Sequence, residues 1–164
     1  MANLKKLGNL KDECLLCEFL AEKHELLARH LKPDAEDRTG HWRKALQFYL
    51  SAWEIGADFG GKLRGRMGRF RVGICRILAE AGAWDDFEEF LKKNVAEEAT
   101  KGEAWLRAGE VHSKRAGAQI PAILALEEAR RLLNGCLSTG GVKCLLLSAE
   151  CCTELAKVCK RELA

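Results

Sequence analysis

Cysteine is the residue type in this sequence that supports the most kinds of chemistry, and two cysteines have the spacing of a metal-binding or redox motif. Cys14 and Cys17 form a CxxC pair, and His24 follows them on the same predicted helix. A closed zinc site needs four ligands, and the sequence has no second CxxC pair. A redox CxxC follows a strand, and no strand pattern precedes this one. We therefore predict core cysteines, with no metal and no cofactor, and keep a thiol or metal enzyme as a third alternative.

Four of the eight cysteines lie in the C-terminal segment, namely Cys144, Cys151, Cys152 and Cys159. On a helix their spacing places all four on one side of the axis. Free cysteine is among the most buried residue types and packs as a small apolar side chain. The pattern therefore predicts that these four thiols face the core.

A second group of residues that could do chemistry lies in the segment 61–76, which contains six basic residues and no acidic one. On a helix, four of them fall within about 80° of one another and form a basic edge. These four are Lys62, Arg66, Arg69 and Arg76. The next segment, 85–103, is acidic. Three interpretations of the basic edge remain open. The acidic segment neutralises it, or it docks an acidic peptide through forked arginine contacts, or it contacts a phosphate backbone.

Enzyme motifs are missing from the sequence. It contains no phosphate-binding loop, no G-x-S-x-G and no H-E-x-x-H. The four histidines are scattered, and His112 is predicted to be a hydrogen-bonded core residue. We therefore expect a protein that binds and does not catalyse.

The elements that must position these residues are predicted to be helices. Of the 164 residues, 48% are apolar and 31% are charged, with only 2 prolines, which favours an all-α fold. The net charge of +3 is too small to indicate nucleic-acid binding by itself. No segment has the roughly 20 apolar residues of a membrane span, and no secretory signal is recognised at the N-terminus. We expect a cytoplasmic protein with no membrane partner, the nucleus being the alternative compartment.

Seven helices are predicted, joined mostly by short turns that contain glycine. Residues 1–11 are predicted to be a tail. Pro33 ends the first helix because proline disfavours a helical residue before it, and residues 34–40 are predicted to be a loop. The predicted helices span 12–31, 41–55, 63–80, 84–95, 103–115, 121–133 and 142–163.

Helix pairs of similar size raise the question of internal repeats. Gly40, Gly82 and Gly117 each precede a helix at near-regular spacing. The helix before Gly117 contains, in W-x2-L-G-x2-Y register, Trp105, Ala108, Gly109 and His112. With the segments 40–52 and 105–129 as the best matches, the chain resembles the tetratricopeptide repeat family over about residues 12–163.

The resemblance implies a right-handed α-solenoid of about three helix pairs. The pairs would cover 12–56, 63–95 and 103–133 as one domain, closed by a capping helix over 142–163 whose polar side faces water. Proteins of this family bind extended or helical segments of other proteins in a groove lined by the first helices. The resemblance therefore implies a non-enzymatic adaptor or scaffold.

The groove and the basic edge together predict a partner-binding site. Its predicted residues are Glu18, Glu22, Lys62, Arg66, Arg69, Arg76, Leu106 and Glu110. The expected partner is a peptide or helical segment of a protein, acidic if it binds the basic edge. The alternative is a helical-repeat RNA-binding module, whose binding would fall steeply with salt. Self-association is left open, because an uncapped N-terminal repeat leaves an apolar face.

Overall fold

The computed structural model describes residues 2–32, 35–58, 63–115, 117–139 and 141–162, and these residues form seven α-helices and no strand. The predicted all-α fold is confirmed. None of the described helices combines the length and the apolar character needed to cross a membrane. The helices are α1 (Ala2–His30), α2 (Glu36–Asp58), α3 (Arg64–Ala81), α4 (Trp84–Asn94), α5 (Glu98–Ser113), α6 (Gln119–Gly135) and α7 (Gly141–Glu162).

The helix ends agree with the predictions at two glycine turns and differ near the N-terminus. Gly82 and Gly117 have φ angles of 74° and 75°, a left-handed conformation that glycine adopts at little cost. α1 begins at Ala2, so the predicted tail is wrong for residues 2–11, which are rich in helix-forming Leu and Lys and contain no proline. α2 begins at Glu36, so Gly40 lies inside a helix and not in a loop.

The chain divides into two compact units, Met1–Ile77 and Leu78–Ala164, and the boundary lies inside α3. Each unit has buried apolar residues of its own. The predicted arrangement of three repeats in one domain over 12–163 stays a prediction.

Small residues allow close packing of α1 and α2 in the first unit. Ala21 of α1 and Ala45 and Ala52 of α2 are completely buried. α3 approaches α2 closely at Gly73, where a β-carbon would lie 2.8 Å from Cζ of Tyr49. Glycine at this position therefore makes room for the tyrosine ring.

In the second unit α5, α6 and α7 pack against one another. Gly109 of α5 faces Leu126 of α6 so closely that a β-carbon there would lie 2.5 Å from Cγ of the leucine. The spacing of Ala122, Leu126 and Ala129 places them on one face of α6, and all three are completely buried. The buried residues of the shared core are Leu106, Ala122, Leu126, Ala129, Leu133, Leu147, Cys151, Leu155 and Val158.

The predicted buried cysteines of α7 are confirmed for two of the four. Cys144 and Cys151 are buried, and the Cys151 thiol donates to the carbonyl oxygen of Leu126 at 3.0 Å. Cys152 and Cys159 are exposed, against the prediction. The reason is angular, because Cys152 lies about 100° round the helix from Cys151 and so leaves the face that contacts the core.

The polar side predicted for the capping helix α7 is present in part, with Lys143, Lys157, Lys160 and Arg161 exposed. A capping helix turns polar residues outward. On α7, however, Val142 and Leu146 are 72% and 66% exposed. Glu150 pairs with Arg107 of α5 at 2.7 Å. The exposed surface of α7 is therefore polar in part and apolar in part.

We expect Gly109→Ala to lower the free energy of unfolding by about 1–2 kcal/mol. The added methyl group overlaps Leu126, which is completely buried, and this overlap outweighs a gain of up to about 1 kcal/mol in helix propensity. Urea unfolding followed by circular dichroism measures the change. Gly135→Ala is the matched control, because a β-carbon there meets no atom within 4 Å. Equal losses of unfolding free energy in the two variants would show that overlap with Leu126 is not the cause.

Candidate functional site

Two glutamates of α1 are buried, and their partners come from the predicted basic edge. Glu18 and Glu25 are 6% and 4% exposed. Arg66 of α3 donates to Glu18 at 2.5 Å, and Arg76 donates to Glu25 at 2.5 Å. A carboxylate leaves water at a large cost unless a cation and hydrogen bonds replace that water. These two arginines therefore pair with glutamates of α1, whereas the acidic segment 85–103 was predicted as one possible neutralising partner.

Glu25 is the centre of a small network. Its carboxylate accepts hydrogen bonds from Arg76, from Arg29 at 2.5 Å and from the hydroxyl of Tyr49 at 3.2 Å. Burial, and then the charge of Glu25, raise the pKa of Tyr49. The phenol therefore stays protonated and donates a hydrogen bond to the carboxylate. Because Gly73 makes room for the tyrosine ring, the network joins α1, α2 and α3 at one point.

The other predicted binding residues are divided between the two units. Arg69 and Glu22 are exposed in the first unit. Glu110, in the second unit, is half-buried and accepts a hydrogen bond from Arg107 at 2.8 Å. The predicted role of Leu106 in a binding groove is wrong, because its side chain is completely buried in the core and offers no surface to a partner. Lys62 lies outside the described residues.

The CxxC pair belongs to the packing of α1. Cys14 is completely buried, and its thiol donates to the carbonyl oxygen of Ala52 at 3.3 Å. Burial raises the pKa of Cys14 and of Cys17, and a neighbouring glutamate adds to the rise at each. A reactive thiolate needs a lowered pKa. Both side chains are therefore protonated thiols at neutral pH.

His24 does not join the two cysteines. It lies about 15 Å beyond Cys14 along the helix axis. There its ring stacks on Phe48, and its Nδ1 is 2.8 Å from Nδ1 of His41. Among the residues that the structure describes, no three histidine, cysteine or acidic side chains come together as a metal site.

An aromatic cluster joins α4 to α5 in the second unit. Trp84 stacks on His112 with ring centroids 3.8 Å apart, and Phe87 lies edge-on to Trp105 at 4.8 Å. His112 Nδ1 is buried without a hydrogen-bond partner among the described residues, so the prediction of a hydrogen-bonded histidine is wrong for this atom. Burial, and then the charge of Arg115, lower the pKa of His112. Stacking holds this ring in place.

A cleft of about 1030 Å³ opens where α4, α5 and α6 meet, and Trp105 of the aromatic cluster lines it. The least exposed lining residues form an apolar floor of Leu91, Trp105 and Leu132. A cleft of this size accommodates several side chains of a ligand. Its charged rim consists of Asp85, Glu88, Glu89, Lys92, Lys93, Glu98, Lys101, Glu128 and Arg131.

Most of the rim charges neutralise one another within single helices. These pairs are Lys93–Glu89, Lys101–Glu98 and Arg131–Glu128. Three rim residues form no ion pair within the described part of the chain, namely Asp85, Glu88 and Lys92. Asp85 lies in the first turn of α4, where the helix dipole favours a carboxylate. The rim therefore retains two carboxylates, one turn apart, that can receive a cation from outside.

This cleft was not predicted from the sequence, where the acidic segment that includes α4 was interpreted as one possible neutralising partner of the basic edge. The helical spacing of Asp85, Glu88 and Lys92 already showed one charged side of α4. Helical periodicity does not show which other helix that side faces, so the cleft could not be read from it.

Comparison of the chain with protein-family models, with curated proteins and with solved structures finds no match. The resemblance to the tetratricopeptide repeat family therefore rests on the residue pattern alone. A packing pattern of that kind says little about function.

We expect Glu25→Gln to lower the free energy of unfolding by about 2–3 kcal/mol. The amide still accepts hydrogen bonds, but Arg76, whose side chain is 25% exposed, loses its counter-charge. Urea unfolding measures the change. Glu22→Gln is the matched control on the same helix, because Glu22 is exposed, and its effect should stay below about 0.5 kcal/mol. A loss in Glu25→Gln as small as that of the control would show that the pair stabilises nothing.

We expect the stability of the chain to fall as the pH drops below 6.5, and His112→Gln to reduce that fall. The pKa of His112 is lower in the folded chain than in the unfolded chain, so the unfolded state binds the proton first. The stability present above pH 6.5 is therefore lost at lower pH. Urea unfolding about one unit above and one unit below this value measures the change. An unchanged pH dependence of stability in His112→Gln would show that His112 is not the group responsible for the loss.

Proposed function

We propose that the chain is a non-enzymatic protein-interaction adaptor that binds a segment of a partner protein in the cleft between α4, α5 and α6. The observation that supports this most directly is the floor around Trp105, bounded by charged side chains. An apolar centre with a polar rim is the usual anatomy of a protein-binding surface. Tryptophan is also enriched among the residues that contribute most to such binding.

The cleft favours a partner segment in which an apolar side chain stands beside a basic one. The floor of Leu91, Trp105 and Leu132 offers contact to the apolar side chain. Asp85 and Glu88 are exposed on the same side of α4 and can accept a lysine or an arginine. Arginine has the additional option of stacking on the Trp105 ring. The expected segment is therefore basic, whereas the basic edge would have selected an acidic one.

The basic edge is the weaker candidate for the binding site. Arg66 and Arg76 pair with buried carboxylates. A partner that captured these arginines would remove the cation that pairs with the buried Glu18 and would leave the buried Glu25 with Arg29 alone, at a cost of several kcal/mol. The RNA-binding alternative depends on the same arginines, so we treat it as an outcome of the test below.

A peptide library displayed on phage and selected against the full chain tests this proposal. We expect selected peptides that combine Arg or Lys with a neighbouring apolar residue. The double variant Asp85→Asn/Glu88→Gln should weaken their binding about five- to tenfold, measured by isothermal titration calorimetry, because two exposed charge contacts are lost. Both side chains are exposed, so the fold is preserved.

Asp86→Asn is the matched control for this experiment. Asp86 lies in the same turn of α4 and is exposed, and it does not line the cleft. Equal weakening in the control, or peptides that bind the double variant as well as the natural chain, would place the site elsewhere. Failure to select any peptide, together with salt-sensitive binding of a labelled mixed-sequence RNA, would replace the adaptor proposal with the RNA-binding one.

A further inference from the structure

α7 has two apolar faces, and only its inner face packs into the core of the second unit. The inner face contributes Leu147, Cys151, Leu155 and Val158 to that core. Along one exposed stripe of the helix, away from the inner face, six uncharged residues lie in regular array. We call them the outer seam: Val142, Leu145, Ala149, Cys152, Ala156 and Cys159. A helix that is apolar on both sides is normally buried on both.

The spacing of the outer seam indicates what covers it. Its positions alternate by three and four residues along the helix, the heptad spacing of a helix that packs against a second helix. Val142 and Leu145 are 72% and 55% exposed, and the neighbouring Leu146 is 66% exposed. Exposed aliphatic side chains grouped in this way mark an interaction surface. The expected occupant is therefore a helix with a matching apolar seam.

We propose that the outer seam is the interface for a second copy of this chain, with the two α7 helices antiparallel. A two-fold axis through the middle of the seam makes the surface its own partner. Each larger side chain then faces a smaller one from the other copy, as close packing requires. The facing pairs are Leu145 with Ala156, Val142 with Cys159, and Ala149 with Cys152. Because the seam has no charge that would select a different chain, a copy of itself is the best match.

A parallel arrangement fits the same residues less well. It would place Leu145 against Leu145 at one end and Ala156 against Ala156 at the other, so the two helices would diverge. It would also place the exposed Lys160 side chains of both copies side by side. Antiparallel helices avoid both problems, and their dipoles oppose each other favourably.

The length of the seam sets the strength of the contact. The seam runs about 27 Å along the helix axis. Two helices in contact over that length bury on the order of 1,000 Å² in total, which is at the lower end of specific interfaces. The dimer should therefore exchange with the monomer in the micromolar range and should not be permanent.

Sedimentation equilibrium of the full chain, across the micromolar range and with a reducing agent, tests this proposal. We expect a monomer–dimer equilibrium in the natural chain. Leu145→Glu should raise the dissociation constant of the dimer at least about tenfold, because it places a carboxylate against Ala156 of the other copy. Leu124→Glu is the matched control, since Leu124 is an equally apolar, 66% exposed residue of α6 outside the seam. Circular dichroism verifies that each variant is folded.

The orientation is tested by a second charge. Ala156→Lys alone should weaken the dimer, and Leu145→Glu/Ala156→Lys should restore it, because each carboxylate then faces an ammonium group of the other copy. In a parallel dimer the double variant would place like charges together and stay monomeric. A chain that is monomeric throughout, a dimer unaffected by Leu145→Glu, or an equal loss in Leu124→Glu would overturn the proposal. Failure of the double variant to dimerise would overturn the antiparallel arrangement.

Discussion

The ion pair between Glu25 and Arg76 is the interaction on which the first unit depends. Glu25 is almost completely buried, so its carboxylate must find its charge partner and hydrogen-bond donors inside the protein. Those groups come from three helices: Arg29 from α1 itself, Tyr49 from α2 and Arg76 from α3. The need to satisfy one carboxylate therefore fixes where α2 and α3 lie against α1. It also explains why Arg76, in the most basic segment of the chain, lies against α1 with its side chain only 25% exposed.

The second unit is organised by close approach of helices and not by buried charge. Gly109 brings α5 against Leu126 of α6, and the core continues into α7. The contact of Phe87 with Trp105 seats α4 against α5 as well. α4 and α6 thus both pack against α5, and the cleft lies where the three helices meet. Its apolar floor is a direct consequence of how the tryptophan is packed.

The two proposed surfaces are on different helices of the second unit. The cleft is lined by α4, α5 and α6, and the outer seam belongs to α7. A chain that pairs through α7 presents two clefts, and two linked sites bind a repeated or dimeric partner more tightly than one site does, with no new contact. Weak self-association and weak peptide binding would therefore both serve the proposed adaptor role. Cys14 of α1 is a buried, protonated thiol that belongs to the packing of that helix.

The sequence by itself determined the helical class, most helix ends and the buried face of α6, because helix propensity, glycine turns and the spacing of small residues are local properties. Tertiary structure decided everything that depends on a residue's neighbour. The periodicity of α1 gave no reason to bury Glu18 and Glu25, and Leu106 was predicted to face a groove that it does not reach. The four cysteines of α7 lie within about 100° of one another around the helix, yet the core contacts only part of that side. Spacing fixes the angle between side chains on a helix, and only packing decides which angle faces a neighbour.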